Sequence, residues 1–505
     1  MEALGGTSAQ KAPRTRWYDG QDAFVQLSSE TAEASRTSAF LRRFASLNAA
    51  QIVSDLFFIF ETSVVCILGI VAAAVFMDGP FTLATLMQPA AAPLLLVPMV
   101  LASLLKYKGL YQFEHLAAFS SSIAQIFLFA CLAFCLAILG SYAAGIGGDH
   151  AGAWLATWML CSLLGLAALR ASASWICNHL IELGAVHQSV AVFGDKAAAQ
   201  RACQSLAQSS ELFRLAGVFG PNSDRNTDTG QPFKGDLDAL IEGALGNAFD
   251  TIVIATDRIS NDDIRHLLAR FQNLPCAVQI YFTFKNETAR HRSGQAVSLF
   301  EVQAKPISGW GRLSKRFLDV TLASLGLLVL APFLLLVAAA IKLDTPGPVF
   351  FTQRRHGLNR RVFRIYKLRT MTVMEEGDSA IQATRQDARV TRIGALLRKT
   401  SLDELPQLLN VLKGEMSLVG PRPHPLSLDD HYADRLDIYS SRHKVKPGIT
   451  GWAQINGHRG PTDQPGLMQR RVQHDLEYIN NWSLWLDVKI IAATPFLGVI
   501  HKNAV

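Results

Sequence analysis

Two adjacent acidic residues, Asp403 and Glu404, are the side chains in this sequence best suited to carry chemistry. They follow a basic stretch, since residues 351–400 hold twelve Lys or Arg against four Asp or Glu, a balance of 12 − 4 = +8. Arg398 lies just before the acidic pair, and Arg422 stands between two prolines that stiffen its backbone. Carboxylates and arginines together suit phosphate chemistry with a divalent cation, because a carboxylate can attack or hold the metal while arginine clamps the developing charge.

The same residues also have a purely structural interpretation. Ser401 followed three residues later by Glu404 is a capping box, and acidic residues favour the first turn of a helix. The basic stretch fits nucleic acid, phosphorylated small molecules, anionic lipid headgroups or an ordinary solvated face. The residue types alone leave these alternatives open.

Four apolar segments precede this region, and each is long enough to cross a hydrocarbon core of roughly 30 Å. Positive residues precede the first segment, separate the second from the third and end the fourth, whereas the connections from first to second and from third to fourth lack them. Because Lys and Arg favour the cytoplasmic side, we expect both chain termini in the cytoplasm. The positive residues are Arg42, Arg43, Lys106, Lys108 and Arg170. The predicted spans are 52–77, 83–105, 119–146 and 151–175.

Composition agrees with a membrane protein of several domains. The chain has 505 residues, of which 50% are hydrophobic. Its seven cysteines show neither a metal-binding spacing nor a disulfide framework, which fits a reducing compartment. Residues 1–44 are polar, contain no visible signal peptide and are predicted to be a disordered cytoplasmic tail. The predicted divisions are 1–44 for this tail, 45–180 for the four-helix transmembrane domain, 185–291 for an α/β domain, 292–311 for a linker and 312–505 for a catalytic domain.

Residues 185–291 alternate short buried strands with helical stretches, which predicts a Rossmann-like, parallel α/β domain. The first strand ends at Gly194, but the next five residues contain no glycine. A dinucleotide fingerprint needs three glycines at this turn. A structural or regulatory role is therefore favoured over nucleotide binding.

A fifth apolar segment, 317–341, is flanked on both sides by basic residues. Both flanks favour the cytoplasmic side, and Pro332 near its middle would break a helix. These features favour a re-entrant helix–break–helix that enters and leaves the membrane on one face. A true fifth span is the alternative.

Beyond this segment lie several short motifs of polar and basic residues. They are 315–319, 346–353, 366–371, 401–407, 410–417, 420–423 and 447–451. With these motifs, the stretch from Lys315 to about Asp487, a third of the chain, resembles the bacterial sugar transferase domain of the monotopic polyprenyl-phosphate phosphoglycosyl transferases. The four spans and the α/β domain resemble the long-form members that initiate exopolysaccharide or capsule synthesis. The family commonly has Ser-Pro at the break of its re-entrant helix, where this chain has Ala331-Pro332.

The resemblance implies a mostly α catalytic domain and a two-step transfer of a sugar-1-phosphate from a UDP-sugar to undecaprenyl phosphate. Asp403 is the implied nucleophile, which forms a glycosyl-phosphoryl aspartate as UMP leaves. Glu404 is the implied ligand of Mg²⁺. Four basic residues at family positions are expected to contact phosphates or order the site. They are Lys367, Arg369, Arg398 and Arg422.

Rival functions remain open from the sequence. A non-catalytic membrane organiser of polysaccharide assembly is one, although the intact acidic pair argues against it. A nucleotide-sensing regulator is another, and the missing glycines argue against that. A nucleic-acid binder does not suit four spans. Glucose is the expected sugar for the long form. No residue type specifies the sugar, the polysaccharide pathway or the oligomeric state, and a homodimer stays open.

Overall fold

The computed structural model describes most of the chain from the first apolar segment onward. The predicted tail 1–44, the first part of the second predicted span and nearly all of the loop 374–388 lie outside the described residues. The described residues are 49–76, 91–143, 145, 151–209, 212–220, 234–246, 248–256, 261–282, 298–372, 387–436, 438–458, 460 and 465–498.

Apolar helices form the N-terminal part of the described chain. Three of them are long and apolar enough to cross a membrane and coincide with the first, third and fourth predicted spans. The helix in the second predicted span has 16 described residues, about 24 Å at 1.5 Å per residue, and is preceded by residues outside the description. The helices are α1 (Ala49–Phe76), α2 (Ala92–Tyr107), α3 (Phe113–Ala117), α4 (Phe119–Ala143) and α5 (Ala151–Glu182).

A buried ion pair joins α1 to α5. Arg170 donates to both carboxylate oxygens of Glu61 at 3.0 and 2.8 Å and to the carbonyl of Leu110 at 2.7 Å. Both side chains are almost completely buried. Arg170, which was counted among the positive residues that orient the fourth span, is therefore neutralised inside the bundle. A buried charge needs such a partner because an unpaired one is costly in an apolar medium.

The next domain is built on one sheet of five strands in the order β2-β1-β3-β4-β5. Strands β2, β1, β3 and β4 run parallel to one another, and β5 pairs antiparallel with β4. Helices α6 (Lys196–Ser209), α7 (Leu237–Leu245) and α8 (Asn261–Phe271) connect the parallel strands. The strands are β1 (Gln188–Gly194), β2 (Phe213–Phe219), β3 (Thr251–Ala255), β4 (Ala277–Phe282) and β5 (Ser298–Gln303).

Two details of this domain refine the sequence predictions. A Cβ atom on Gly194 would overlap the carbonyl of Ala255, so close packing of β1 on β3 accounts for this glycine without a ligand. Strand β5 lies within the predicted linker 292–311, and the domain therefore extends past residue 291. The linker prediction was wrong for β5 because this edge strand alternates polar and apolar side chains, and its polar residues resemble those of a linker.

The fifth apolar segment belongs to a single helix, α9 (Gly309–Asp344), of 36 residues. The described backbone remains helical from one end of α9 to the other, so the helix is not unwound at Pro332, and a re-entrant path requires a kink there. A proline removes the hydrogen bond to the carbonyl four residues earlier and its ring crowds that carbonyl, which bends a helix while the flanking turns stay helical. By length and composition, α9 is the fourth described helix able to cross a membrane.

The C-terminal domain packs short helices around α9 and two small sheets. Strands β6 (Phe350–His356) and β7 (Val362–Leu368) form an antiparallel hairpin, and β8 (Ser417–Val419) pairs in parallel with β9 (Gly448–Thr450). Three short 3₁₀ helices, Leu358–Arg360, Leu402–Glu404 and Tyr439–Lys444, connect the larger elements. The helices are α10 (Arg392–Thr400), α11 (Gln407–Lys413), α12 (Leu426–Ala433), α13 (Trp452–Ile455), α14 (Pro465–Asn480) and α15 (Leu484–Ala493).

Candidate active site

The acidic pair lies on the 3₁₀ helix Leu402–Glu404, between α10 and α11. Ser401, just before it, has a left-handed backbone with φ of 60° and ends α10. The Ser401 side chain makes no capping bond, and its carbonyl instead accepts from the N–H of Glu404 at 3.2 Å. The capping box expected from the sequence is therefore absent. A left-handed serine is uncommon, and this reversal of the chain holds the acidic pair in a tight turn.

Glu404 is clamped by two cations. Its Oε1 accepts from Lys367 Nζ at 2.8 Å and from Arg422 at 2.6 Å, and its Oε2 accepts from the second guanidinium nitrogen of Arg422 at 3.0 Å. Burial alone would raise the pKa of Glu404, but the positive charges of Arg422 and Lys367 hold this pKa well below its usual range. Glu404 is therefore a fixed carboxylate anion at neutral pH.

Asp403 has a different environment. It is half-buried, and within the described part of the chain no group donates a hydrogen bond to its carboxylate. Burial raises the pKa of Asp403, while the charges of Lys367, Arg422 and Arg398 act in the opposite direction. A carboxylate that lies near cations without being locked by them keeps its oxygens available for a reaction.

The structure thus brings together four residues that the sequence singled out, and it gives the two acids different surroundings. The four are Lys367, Asp403, Glu404 and Arg422. Lys367 comes from β7, and Arg422 from the segment after β8. Arg398 acts on Asp403 through its charge. A half-buried carboxylate beside a clamped one, with three cations around them, can attack or bind a phosphate group whose negative charge the cations offset.

Comparison with known proteins identifies the family of the chain. Residues 310–501 match the bacterial sugar transferase family, and residues 106–281 match a family described as a CoA-binding domain. The chain is 40% identical over 359 residues, 70% of this chain and 76% of the relative, to the UDP-glucose:undecaprenyl-phosphate glucose-1-phosphate transferase of Escherichia coli (strain K12). It is 37% identical over 369 residues to the transferase of the same name from Xanthomonas campestris pv. campestris, covering 71% and 76% of the two chains.

A third relative, exopolysaccharide production protein PSS of Rhizobium leguminosarum bv. phaseoli, is 48% identical over 184 residues, 36% of this chain and 92% of the relative. The chain belongs to the family of polyprenyl-phosphate phosphoglycosyl transferases. This confirms the resemblance seen in the motifs, and it establishes the chain as a sugar-1-phosphate transferase and a membrane enzyme.

Arg369 of the transferase does not join the acidic pair. Its guanidinium donates to the carbonyls of Thr345 and Pro346, both at 2.6 Å, and to that of Ile341 at 3.4 Å. These carbonyls lie at the C-terminal end of α9, where helical groups lack partners of their own. The structure therefore places Arg369 as a buried cap of α9. Sequence spacing could not show this, because Arg369 lies only two residues from Lys367 on the same motif.

Asn410, which sequence reasoning did not single out, fastens α11 to β7. Its amide nitrogen donates to the carbonyl of Arg364 and to Glu415, both at 2.7 Å, and its oxygen accepts from the N–H of Tyr366 at 3.0 Å. Asn410 is completely buried. Since β7 carries Lys367 and α11 follows the acidic pair directly, this clamp sets the spacing between Lys367 and Glu404.

A second polar cluster lies behind Arg422. Asp429 accepts from Tyr439 at 2.5 Å, and its other oxygen lies 3.1 Å from both His356 Nδ1 and His443 Nε2. The ligand atoms of Asp429 and the two histidines are close enough to hold a metal ion. Tyr439 and the two histidines contact both oxygens of Asp429, and Arg442 lies 3.8 Å from the same carboxylate, so these side chains form one hydrogen-bonded network.

Three tryptophans of the C-terminal domain have different surroundings. Trp485 is 75% exposed on α15. Trp482 donates to Asp487 at 3.2 Å and contacts the position of Gly311, so it belongs to the packing around α9. Trp452 is half-buried and donates to Glu477 at 3.0 Å. Exposure therefore suits Trp485, and only Trp485 among these three, for contact with a membrane.

Proposed function

We propose that this transferase moves glucose-1-phosphate from UDP-glucose to undecaprenyl phosphate and releases UMP, as the first membrane step of exopolysaccharide or capsule synthesis. The observation that carries the proposal is the divided acidic pair, in which Glu404 is clamped and Asp403 is not. The two long relatives are named for UDP-glucose and undecaprenyl phosphate, which supports the choice of donor and acceptor.

In the first step, a carboxylate oxygen of Asp403 attacks the β-phosphorus of UDP-glucose. The bond from that phosphorus to the oxygen bridging the two phosphates breaks, and UMP leaves with the bond electrons. A glycosyl-phosphoryl aspartate remains on the enzyme. Arg422 and Lys367, held at the acidic pair by Glu404, offset the charge that develops on the phosphate oxygens. Arg398 adds a third positive charge near Asp403.

In the second step, a phosphate oxygen of undecaprenyl phosphate attacks the same phosphorus. The bond between the phosphorus and Asp403 breaks, which restores the carboxylate and gives undecaprenyl-diphosphoglucose. Each step exchanges one P–O bond for another, so no oxidant or reductant is required. The carboxylate of Asp403 can leave because a carboxylate is a weak base, and the charges of Lys367, Arg422 and Arg398 oppose the effect of burial on its ionised form.

A divalent cation fits the chemistry of these donors. Mg²⁺ prefers carboxylate and phosphate oxygens and is commonly held by one or two carboxylates plus the substrate. Glu404 and the neighbouring Asp403 are the carboxylates of this site that would hold Mg²⁺. The ion would supply charge neutralisation at the diphosphate.

We also propose that α9 is re-entrant and that the catalytic domain lies on the cytoplasmic face of the inner membrane, with both chain termini on that side. The N-terminal half of α9 is fixed to this domain, because Lys315 pairs with Asp487 at 2.7 Å and Asp319 accepts from Ser417 at 2.9 Å. The C-terminal end packs on the same domain through Ile341. One domain that holds both ends of α9 supports entry and exit through one face.

The middle of α9 supports the same placement. Its apolar side chains are largely exposed, including Leu328, Val329, Leu335 and Leu336 at 67% to 75%. Such a surface is suited to lipid rather than water. A cysteine at exposed position Arg361, in a chain whose native cysteines are replaced, is expected to react with an impermeant label only from the cytoplasmic side. Labelling from the periplasm would contradict re-entry and favour a fifth span.

The substrate proposal has a direct test. Purified enzyme in lipid nanodiscs is given Mg²⁺, undecaprenyl phosphate and one of UDP-glucose, UDP-galactose or UDP-N-acetylglucosamine. UMP release and the lipid product are measured for each donor. UDP-glucose is expected to have the highest kcat/KM. Preference for another UDP-sugar would overturn the choice of glucose, and absence of UMP with every donor would overturn the proposed reaction.

A further inference from the structure

The segment Pro421-Arg422-Pro423 is held in place through its carbonyl groups. Its two prolines have no N–H to donate, so the backbone cannot be fixed by its own donors at those positions. The Arg422 carbonyl accepts from Arg442 Nη2 at 2.8 Å, and the Pro421 carbonyl accepts from the N–H of Gly448 at 2.9 Å. Arg442 thus contacts the backbone of the residue whose side chain clamps Glu404.

Arg442 is itself rigidly held. The same Nη2 atom donates to Asp475 at 2.8 Å, and Nη1 donates to the hydroxyl of Tyr439 at 3.1 Å. The side chains of Arg442 and Asp475 are 2% and 3% exposed. The charge of Asp475 helps to raise the pKa of Arg442 against the effect of burial, so the guanidinium stays charged. In the described part of the chain, Arg442 contacts neither Asp403 nor Glu404, and its link to the acidic pair is the carbonyl of Arg422.

We infer that Arg442 is a positioning residue for the transfer reaction, because it fixes the Arg422 backbone at the distance from which the Arg422 guanidinium can meet Glu404 and the donor phosphates. The inference rests on the proposed function, in which Arg422 stabilises phosphate charge. Both bonds from Arg422 to Glu404, at 2.6 and 3.0 Å, are within the narrow range of good hydrogen bonds. A backbone shift of about 1 Å would take at least one of them out of that range.

An arginine is required at position 442 for a geometric reason. One terminal nitrogen bridges the Arg422 carbonyl and the Asp475 carboxylate while the other reaches Tyr439. The rigid planar guanidinium places these donors at fixed angles. A lysine ammonium keeps the charge but offers a single nitrogen on a flexible stem, so it cannot hold all three partners in their present places.

Arg355 is a weaker candidate for the same task. It donates to the Pro423 carbonyl at 3.3 Å and to Gln353 at 2.6 Å. Burial and the neighbouring charge of Arg422 lower the pKa of Arg355 to about 10. Its contact with the segment is longer than that of Arg442, and its described ion pairs include no carboxylate comparable with Asp475. The stronger anchor is therefore Arg442.

The test is a double-mutant cycle on UMP release by full-length enzyme in nanodiscs, with Arg442→Lys made in wild type and in Arg422→Lys. In wild type, Arg442→Lys is expected to lower kcat about 10- to 100-fold with a small change in KM for UDP-glucose. In the Arg422→Lys background the same change is expected to cost less than about threefold, because a flexible lysine at position 422 tolerates a displaced backbone.

A matched control is another buried ion pair of the same domain, Lys315–Asp487 at 2.7 Å. Asp487→Asn removes a buried charge partner without touching Arg422. Any loss that it causes is expected to be the same factor in both backgrounds. Melting temperatures of all variants, followed by tryptophan fluorescence, show whether each remains folded at the assay temperature.

Equal factors for Arg442→Lys in both backgrounds, or unchanged kcat in both, would overturn the inference. If Arg442→Lys does not fold, Asp475→Asn takes its place in the same cycle, since it leaves Arg442 present but removes its charged anchor. Failure of the proposed function has a different signature. In that case wild-type enzyme releases no UMP, whereas failure of the inference is seen with an active wild type.

Discussion

Replacement of Arg422 by lysine is the sharpest perturbation of the clamp on Glu404. The change keeps one positive charge but replaces a two-pronged donor with a single ammonium. Arg422 now donates to both oxygens of Glu404, at 2.6 and 3.0 Å, and Lys367 already occupies one of them at 2.8 Å. A lysine at position 422 can replace only one of the two arginine bonds at a time.

The size of the effect follows from the bond that is lost. A hydrogen bond to a charged group contributes about 1.5–3 kcal/mol, and 1.4 kcal/mol corresponds to about tenfold in rate. If the lost bond is needed in the transition state, kcat/KM should fall roughly 10- to 100-fold. Glu404 remains paired with Lys367, so the carboxylate is not left as a buried orphan charge and the enzyme should remain folded.

The assay is continuous UMP release at saturating undecaprenyl phosphate. The control is Arg360→Lys, since Arg360 forms a more exposed ion pair with Asp430 at 2.8 Å. Exposed pairs contribute about 0–1 kcal/mol, and this one is remote from the acidic pair in the described contacts, so activity should stay within about twofold. An Arg422→Lys enzyme within about threefold of wild type would refute the reasoning that both bonds matter.

Three further predictions concern other residues. Asn410→Ala leaves two backbone groups of β7 without their partner and should cost about 2–5 kcal/mol of stability, seen as a lower melting temperature; Asn410→Asp should retain the bond that its oxygen accepts. Gly448→Ala places a Cβ atom on the backbone of Gly420 and should displace the Arg422 segment and reduce UMP release at least tenfold, whereas Gly466→Ala, with open space around it, should not. Because burial raises the pKa of Asp403 and only the ionised carboxylate attacks, kcat/KM should fall as pH drops through that raised pKa. Arg398→Met removes a positive charge that lowers this pKa, so the fall in kcat/KM should move to higher pH. The control Arg398→Lys keeps the charge and should leave the pH dependence unchanged.

Large patterns in the sequence predicted the architecture well. Long apolar runs identify membrane helices because burial of the backbone in lipid requires about twenty apolar residues in a row. The strands that end at Gly194 and Ala255 were visible as short apolar runs bounded by polar residues. The strand within the predicted linker was missed, because Ser298–Gln303 lies at a sheet edge and carries only a half-apolar pattern.

At the site, the sequence identified which side chains matter but not all of their partners. Glu404, Lys367 and Arg422 were predicted from short motifs, and they meet in space. Arg369 comes from the same motif as Lys367 but turns to the end of α9. Side chains two residues apart share a face only within a regular strand, and Arg369 lies just past the end of β7.

Long-range polar contacts were beyond sequence reasoning altogether. Arg442 lies 20 residues after Arg422, and Asp475 a further 33, with no periodic pattern that links them. Such pairs are set by how helices and loops pack, and a single sequence carries no signal for that packing. The buried ion pair of Arg170 with Glu61 was missed for the same reason, because the two residues are 109 positions apart in the sequence.

Covalent capture tests the central claim most directly. Wild-type enzyme in nanodiscs is mixed with Mg²⁺ and UDP-glucose labelled at the β-phosphate, without undecaprenyl phosphate, and is quenched on a millisecond-to-second scale. We expect a burst of UMP that does not exceed one per enzyme, with the label on the peptide that contains Asp403 and its release from the protein when undecaprenyl phosphate is added. Asp403→Asn should show neither burst nor label, and Glu404→Gln should be slowed but labelled at the same residue. Undiminished UMP release by Asp403→Asn, or label on another residue, would contradict the account.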